Sequence, residues 1–307
     1  MGSTLSQITE STSPVGLRRL LLVALAVLAA GALAACGGED PARSGEQASE
    51  SGSSAQMQPE GGLQHIHGLG VSDDTLLIAT HTGLWTAPEG QTEAQPLGDS
   101  RQDIMGFSVI DDDYFVGSGH PDPSQDQPPN LGLIDSRDGG RTWNNVSLLG
   151  EADFHVLESS GRRVYGFDGA QGRVMVSSDG GRSWQPRTPP AGVFALAIDP
   201  ADPDRIVAST EEGLFVSLDA AQKWRPVSAK LAGLLAWPSQ KRLYLVDGEG
   251  QVQTSADGGK SWREAGNIAG QPAAFIADGE DLYAALSDGS VKRSTDGGRS
   301  WTVRAAP

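Results

Sequence analysis

The sequence contains only one cysteine, Cys36, among its 307 residues. A single thiol cannot form an intramolecular disulfide, and it cannot build a cluster of thiolate ligands. Any metal ion that the chain holds must therefore be bound by His, Met, Asp or Glu side chains.

The sequence also contains few basic residues relative to acidic ones. The chain has 23 Lys and Arg residues against 39 Asp and Glu residues, which gives a formal net charge of −16. Removing residues 1–35 takes away Arg18, Arg19 and Glu10 and changes that charge to −17. A chain this acidic is not expected to bind nucleic acid or to carry an extended basic patch for anionic lipid.

No apolar run is long enough to span a bilayer comfortably. The longest, residues 20–32, follows Arg18 and Arg19 and has the length of a signal-peptide core. It leads into Leu33-Ala-Ala-Cys36, which resembles the bacterial lipobox. The resemblance implies that residues 1–35 are a cleaved signal peptide and that Cys36 is lipidated, so the protein is exported and anchored to a membrane. The alternative is an ordinary signal peptide beside an accidental cysteine.

Residues 37–62 have almost no apolar content and are rich in Gly, Ser, Glu and Gln. Such a segment cannot bury a hydrophobic core. We therefore expect residues 36–62 to be a lipidated cysteine followed by a disordered tether, and residues 63–307 to be one folded domain.

One motif recurs through the folded part of the chain. Four copies read S-x-D-G-G-x-[ST]-W, and a fifth keeps only its Ser, Asp and Trp. The five aspartates, spaced 41, 40, 38 and 39 residues apart, are Asp138, Asp179, Asp219, Asp257 and Asp296. A period near 40 residues with short alternating apolar runs is typical of the four-stranded blades of a β-propeller.

The motif is suited to a hairpin turn, because its carboxylate can accept backbone N–H groups and its glycines allow positive φ. It resembles the Asp-box, or BNR repeat, of the sialidase superfamily, of sortilin-type receptors and of the photosystem II assembly factor. In those proteins the box is structural, so we expect these aspartates to be scaffold. A decayed unit at residues 83–90 precedes the five. Six blades in a sialidase-like all-β propeller are predicted, with seven as the alternative if the ring borrows strands.

Histidines provide the best candidates for a functional site. Inner blade strands are predicted to start at His65, Asp103, Asp153, Val193, Leu231 and Gln271. On this register all five histidines of the chain, which are His65, His67, His81, His120 and His155, reach one face of the ring. The corresponding positions of blades 4 to 6 are apolar, so the polar half of the channel mouth is assigned to blades 1 to 3.

Histidines, a methionine and carboxylates together favour a first-row transition metal. The predicted ligands are the five histidines and Met105, with His65 and His67 on one side of their strand. Methionine without thiolate favours copper over zinc in an exported protein. The alternative is that these histidines hydrogen-bond to buried backbone, to each other and to nearby carboxylates.

A proline-rich loop within residues 117–130 carries His120, Asp122 and Asp126. It is longer than the matching segments of other blades, and it is either a partial lid over the mouth or an ordinary surface insertion. Asp103 and Asp153, with Glu151 beside them, are candidates for a general acid and base pair, or for partners that fix histidine tautomers.

Four segments, HIHGLG, THTGL, GSGHPD and GEADFH, resemble a group of bacterial Asp-box proteins called glycosyl hydrolase-like or exo-sialidase-like. Fold alone does not imply activity. The F/Y-R-I-P motif of working sialidases is missing, and all four tyrosines fall in predicted second strands, so sialidase activity is not expected. Two functions remain: a surface protein that binds a metal, a small ligand or an exported protein at the mouth, and a hydrolase that acts on carbohydrate.

Overall fold

A computed structural model describes Leu63 and residues 65–307. These residues form six sheets of four antiparallel strands each and contain no helix that could span a membrane. The signal peptide, Cys36 and the tether predicted above lie outside the described residues.

The first three blades carry the predicted polar half of the ring. Blade 1 contains β1 (Ile66–Ser72), β2 (Thr75–Thr80), β3 (Gly83–Ala87) and β4 (Gln95–Pro96). Blade 2 contains β5 (Asp103–Asp111), β6 (Tyr114–His120), β7 (Leu133–Ser136) and β8 (Asn144–Ser147). Blade 3 contains β9 (Phe154–Ser160), β10 (Arg163–Asp168), β11 (Arg173–Ser177) and β12 (Gln185–Arg187).

The last three blades complete the ring. Blade 4 contains β13 (Val193–Asp199), β14 (Asp202–Thr210), β15 (Gly213–Ser217) and β16 (Arg225–Ser228). Blade 5 contains β17 (Leu234–Ser239), β18 (Arg242–Val246), β19 (Gln251–Ser255) and β20 (Arg263–Asn267). Blade 6 contains β21 (Pro272–Asp278), β22 (Asp281–Leu286), β23 (Val291–Ser294) and β24 (Thr302–Ala305).

Each blade uses four strands that are consecutive in the sequence, so no strand of the described residues is exchanged between blades. The first strand of every blade contacts the first strands of both neighbouring blades, and β1 meets β21 to close the ring. The prediction of a six-bladed propeller is confirmed. Apolar side chains between adjacent sheets form its core, and Tyr165, Tyr244 and Tyr283 lie within it as their second-strand positions predict.

Arg304 fastens the last blade to the first. Its buried guanidinium donates hydrogen bonds to the carbonyl oxygens of Ala87, at 2.7 Å, and Gln91, at 2.9 Å. Glu89 accepts an ion pair from Arg304 at 3.4 Å and one from Arg293 at 3.0 Å. The decayed first Asp-box has no aspartate to stabilise a hairpin turn. Its Glu89 instead forms ion pairs with the last blade and so helps to close the ring.

Four of the five Asp-boxes share one complete hydrogen-bond pattern, seen clearly in blade 3, and that of blade 4 lacks only the bond to Oδ2 because Lys223 has no hydroxyl. Asp179 Oδ1 accepts the Ser177 hydroxyl at 2.8 Å and the Ser183 N–H at 2.9 Å, and its Oδ2 accepts the Ser183 hydroxyl at 2.6 Å. Ser177 in turn accepts the N–H of Gly181 at 2.8 Å. These bonds hold the turn between the third and fourth strands. Because the strands alternate in direction, the boxes lie at the opposite strand ends from the histidines.

The Asp-box of blade 4 keeps this geometry at a conformational cost. Asp219 accepts the Ser217 hydroxyl and the Lys223 N–H, as the other boxes do. Ala220 and Ala221 replace the two glycines but still adopt φ of 54° and 61°. Positive φ is unfavourable for alanine, so the surrounding bonds impose this turn.

Candidate functional site

The inner strands present their side chains to the channel through a repeated irregularity. A β-bulge occurs at the same position in five of the six inner strands, where one residue of the inner strand has no partner across the pair. The bulged residues are His67, Met105, His155, Phe194 and Ala273. A bulge turns its extra side chain away from the regular alternation, and all five of these residues line one cavity at the channel mouth together with Leu234 of blade 5.

This register corrects the predicted alignment of blades 4 to 6 by one residue. The counterparts of His67, Met105 and His155 are Phe194, Leu234 and Ala273, whereas the predicted strand starts align Ala195, Gly233 and Ala274 with them. The inner strands also begin at positions that differ from those predicted in four blades, namely Ile66, Phe154, Leu234 and Pro272. The sequence could not show the bulges, because an unpaired residue shifts the period-two pattern without changing composition. The conclusion that the polar half belongs to blades 1 to 3 holds on the corrected register.

Three side chains from two blades meet beside this mouth and form what we call the His67–His81–Asp103 cluster. His67 Nε2 lies 3.3 Å from His81 Nδ1, and His81 Nδ1 lies 2.8 Å from Asp103 Oδ2. His67 Nε2 is 3.7 Å from Asp103 Oδ1. One ligand atom from each residue thus falls within 4.8 Å of the other two.

Two of the three separations in the His67–His81–Asp103 cluster, 3.3 and 3.7 Å, are close to those of a metal site, and the third, 2.8 Å, would widen around a bound ion. Bonds of 2.0 to 2.1 Å to nitrogen and oxygen in a tetrahedral site place neighbouring ligands about 3.3 Å apart. In addition, Asp103 Oδ1 is a buried acceptor without a hydrogen-bond partner in the described residues. A cation at the centre of the cluster would satisfy this atom, which otherwise carries an uncompensated desolvation cost.

The imidazole of His67 is available as a ligand at neutral pH. Burial and, to a smaller extent, the neighbouring His81 lower its pKa to about 4 against the opposing effect of Asp103. A metal binds the neutral imidazole, so a proton does not compete for His67 above about pH 4.

His65 and Met105 border the cluster without belonging to it. His65 precedes β1 with a φ of 56°, and its ring centroid lies 5.0 Å from that of His81. The structure therefore brings His67 together with His81 and Asp103, whereas the sequence paired it with His65. Met105 lines the mouth together with His67 and His155. His65 and Met105 are therefore candidate outer ligands.

A second cluster lies in blades 2 and 3. Asp153 Oδ2 is 2.8 Å from His155 Nε2 and 3.9 Å from His120 Nε2. Burial raises the pKa of Asp153, but the hydrogen bond with His155 and the charges of both histidines outweigh it and leave that pKa below its usual value. The hydrogen bond from Asp153 raises the pKa of His155. This arrangement favours an imidazolium–carboxylate pair.

The proline-rich loop holds His120 in place. His120 Nδ1 is 2.8 Å from the carbonyl oxygen of Pro129, so Nδ1 carries a proton and Nε2 points toward Asp153. Asp122 caps a turn by accepting the Ser124 N–H and hydroxyl, which lowers its pKa, and Asp126 is exposed. This loop therefore contacts the site through His120, which the carbonyl oxygen of Pro129 orients.

The three carboxylates predicted for acid and base catalysis have different surroundings. Asp103 and Asp153 each contact histidines, and Glu151 is exposed in the turn before β9. A general acid needs a raised pKa, whereas that of Asp153 is lowered. The contacts of Asp103 and Asp153 match the role of partners that orient histidines.

Sequence reasoning missed two residues of the channel. Phe194 is 49% exposed at the mouth, opposite in character to the histidines that share its position. Glu158, on the same strand as His155, lines the channel further in. Residues three positions apart in a regular strand face opposite sides, so the spacing from His155 carried no signal for Glu158.

The chain matches no protein-family model. It has no significant match among curated proteins. Solved structures resemble it in fold. The GH74 xyloglucanase from Xanthomonas campestris is 18% identical with a TM-score of 0.53, over 79% of this chain and 45% of that one.

Two other similar structures contain protein partners. YCF48 bound to D1 peptide is 19% identical with a TM-score of 0.50, over 79% of this chain and 82% of that chain. A chain of the nidogen/laminin complex is 13% identical with a TM-score of 0.61, over 76% of this chain and 93% of that chain. The chain spans less than half of the length of the xyloglucanase. These similarities establish the β-propeller fold, whose relatives include both glycosyl hydrolases and protein-binding propellers.

Proposed function

We propose that this chain is a membrane-anchored, exported binding protein that holds one first-row transition metal ion, copper or zinc, at the mouth of its propeller. The ligands are His67 Nε2, His81 Nδ1 and one oxygen of Asp103. The observation that carries the proposal is the convergence of these three atoms within 4.8 Å of one another.

The chemistry of the cluster supports this assignment. Two imidazoles and a carboxylate are a ligand set used for zinc and copper, and three protein ligands leave a position open for an exchangeable ligand. A bound ion would replace the contact between His81 Nδ1 and Asp103 Oδ2, and it would give Asp103 Oδ1 a partner. Met105 and His65 border the open side, so copper has a soft donor within the same mouth.

Metal analysis of the purified full chain tests the proposal. The experiment uses the Cys36→Ser variant, which removes the thiol as a competing ligand and the proposed acylation site. The protein is incubated with copper or zinc sulfate, desalted and analysed for bound metal, and its melting temperature is recorded. We expect one ion per chain and a rise in melting temperature, because the ion binds the folded state.

Matched histidine variants locate the site. His81→Gln removes a ligand from the His67–His81–Asp103 cluster, so metal affinity should fall by at least tenfold. His120→Gln alters a mouth histidine outside that cluster, so affinity should stay within about threefold of the parent. Absence of retained metal would refute metal binding, and an equal loss in both variants would refute this choice of ligands.

The membrane anchor is a separate part of the proposal. The motif ending in Cys36 supports it, and residues 37–62 give the propeller a polar connection of suitable composition. Fractionation of cells that express the full chain tests it. The parent should sediment with membranes and incorporate a labelled fatty acid, and Cys36→Ser should do neither. A soluble parent chain would contradict the anchor without bearing on the metal site.

A further inference from the structure

A channel runs along the axis of the propeller, inward from the mouth. Two cavities, one at the mouth and one toward the opposite face, share the residues that separate them. These residues, which we call the waist, are Leu69, Phe107, Glu158, Leu235, Phe275 and Ile276. The two cavities therefore adjoin at the waist, and the residues of the waist are apolar except for one with a carboxyl group.

That carboxyl group belongs to Glu158 of β9. It forms no hydrogen bond and no ion pair with any described residue. Glu158 is partly exposed and lines both cavities. Burial alone raises the pKa of Glu158 to about 8, and no neighbouring charge contributes. A partly buried acid without a partner is stabilised in its charged form by a ligand that supplies the opposite charge.

The surroundings of Glu158 do not supply that charge. Ser108 and Ser159 bond to each other beside it at 2.7 Å, and Tyr165 is its cross-strand neighbour in β10. The other ionisable groups that line the channel are at its two ends. His67 and His155 lie at the mouth, and Asp278 lies at the opposite face.

We propose that the waist binds the cationic end of a linear alkylammonium group, with the Glu158 carboxylate as its counter-ion. The apolar side chains that line the mouth, which include Phe194, Met105 and Leu234, suit the hydrocarbon stem. His155 and Glu158 are three residues apart in one strand, a rise of about 10 Å. A straight stem of that length can reach from the mouth to the waist. This site does not depend on the metal site.

The two sources of such a group are a free alkylamine and a lysine side chain of a protein partner. The stem length favours the free amine, because a lysine side chain reaches Glu158 only if its backbone enters the mouth. In either case, the neutral carboxyl group loses its proton when it binds the ammonium ion. Binding therefore releases one proton, and affinity should rise about tenfold per pH unit up to pH 8 and then level off.

Calorimetric titration of the full Cys36→Ser chain tests this proposal. The probes are hexylamine, its neutral isostere 1-hexanol, and N-acetyl-lysine methylamide to represent a partner's lysine. Hexylamine should bind at least tenfold more tightly than hexanol at pH 8, and the difference should shrink toward pH 6. Binding of the lysine compound as well identifies a protein partner as a feasible source, and binding of hexylamine alone identifies a free amine.

Two variants complete the test. Glu158→Gln preserves volume and should remove the preference for hexylamine while hexanol still binds, which also shows that the channel is intact. Asp278→Asn, at the far end of the channel, should leave the preference unchanged. Equal affinities for amine and alcohol in the parent, or an amine preference that survives Glu158→Gln, would overturn the proposal. His81→Gln should bind hexylamine normally, so the metal and amine sites can fail separately.

Discussion

His81 Nδ1 lies 2.8 Å from Asp103 Oδ2, although the two residues belong to different blades of the ring. His81 follows the second strand of blade 1, and Asp103 opens the first strand of blade 2. The contact exists because adjacent blades place these two strand ends side by side at the mouth.

The first prediction concerns the protonation of His67. Its pKa should be about 4 in the parent, as burial and the nearby His81 disfavour the imidazolium. His81→Gln should raise this pKa, and Asp103→Asn should lower it. Nuclear magnetic resonance of the imidazole carbons as a function of pH measures all three values. An unchanged pKa near 6.5 in the parent would contradict the burial of this ring.

A second prediction concerns the Asp-boxes at low pH. Hydrogen bonds from the Thr142 and Ser300 hydroxyls and N–H groups hold the pKa values of Asp138 and Asp296 at about 2. Because the folded pKa lies below the unfolded one, this stabilisation is complete above pH 3.8 and is lost as the pH falls toward 2. Melting temperatures measured between pH 5 and pH 2 should decline in this window, and less steeply in Asp138→Asn.

The third prediction uses the alanines of the blade 4 Asp-box. Ala220 has a φ of 54°, which glycine adopts without strain, so Ala220→Gly should stabilise the protein by about 0.5 to 1 kcal/mol. Gly180→Ala makes the reverse change at the matching position of blade 3, where φ is 76°, and should destabilise by at least about 1 kcal/mol. Urea unfolding checks both. Equal signs for the two variants would exclude backbone strain as the cause.

The fourth prediction addresses ring closure. Arg304→Met leaves the carbonyl oxygens of Ala87 and Gln91 without their donor and should cost about 3 kcal/mol of unfolding free energy. Arg293→Met is the control, since Arg293 makes more exposed ion pairs with Glu89 and Asp281 and should cost about 1 kcal/mol or less. Chemical denaturation gives both values. A smaller effect for Arg304 than for Arg293 would show that this contact does not secure the ring.

The sequence by itself determined the architecture. The Asp-boxes mark one turn of each of blades 2 to 6 at intervals near 40 residues, and local hydrogen bonding makes that signal readable without tertiary information. The positions of His120 and His155 at strand ends also followed from the repeat, which fixed one face as polar in blades 1 to 3.

Only the tertiary structure decided which of these side chains meet. The inner-strand bulges turn His67, Met105 and Phe194 into the channel, and a bulge shifts the period-two pattern without a residue type that marks its position. His67 joins His81 and Asp103 because neighbouring blades pack their strand ends together, at sequence separations that carry no local signal. The sequence pattern also did not mark Glu158 as a channel residue, because only the closure of the ring places this strand-interior carboxyl group at the channel.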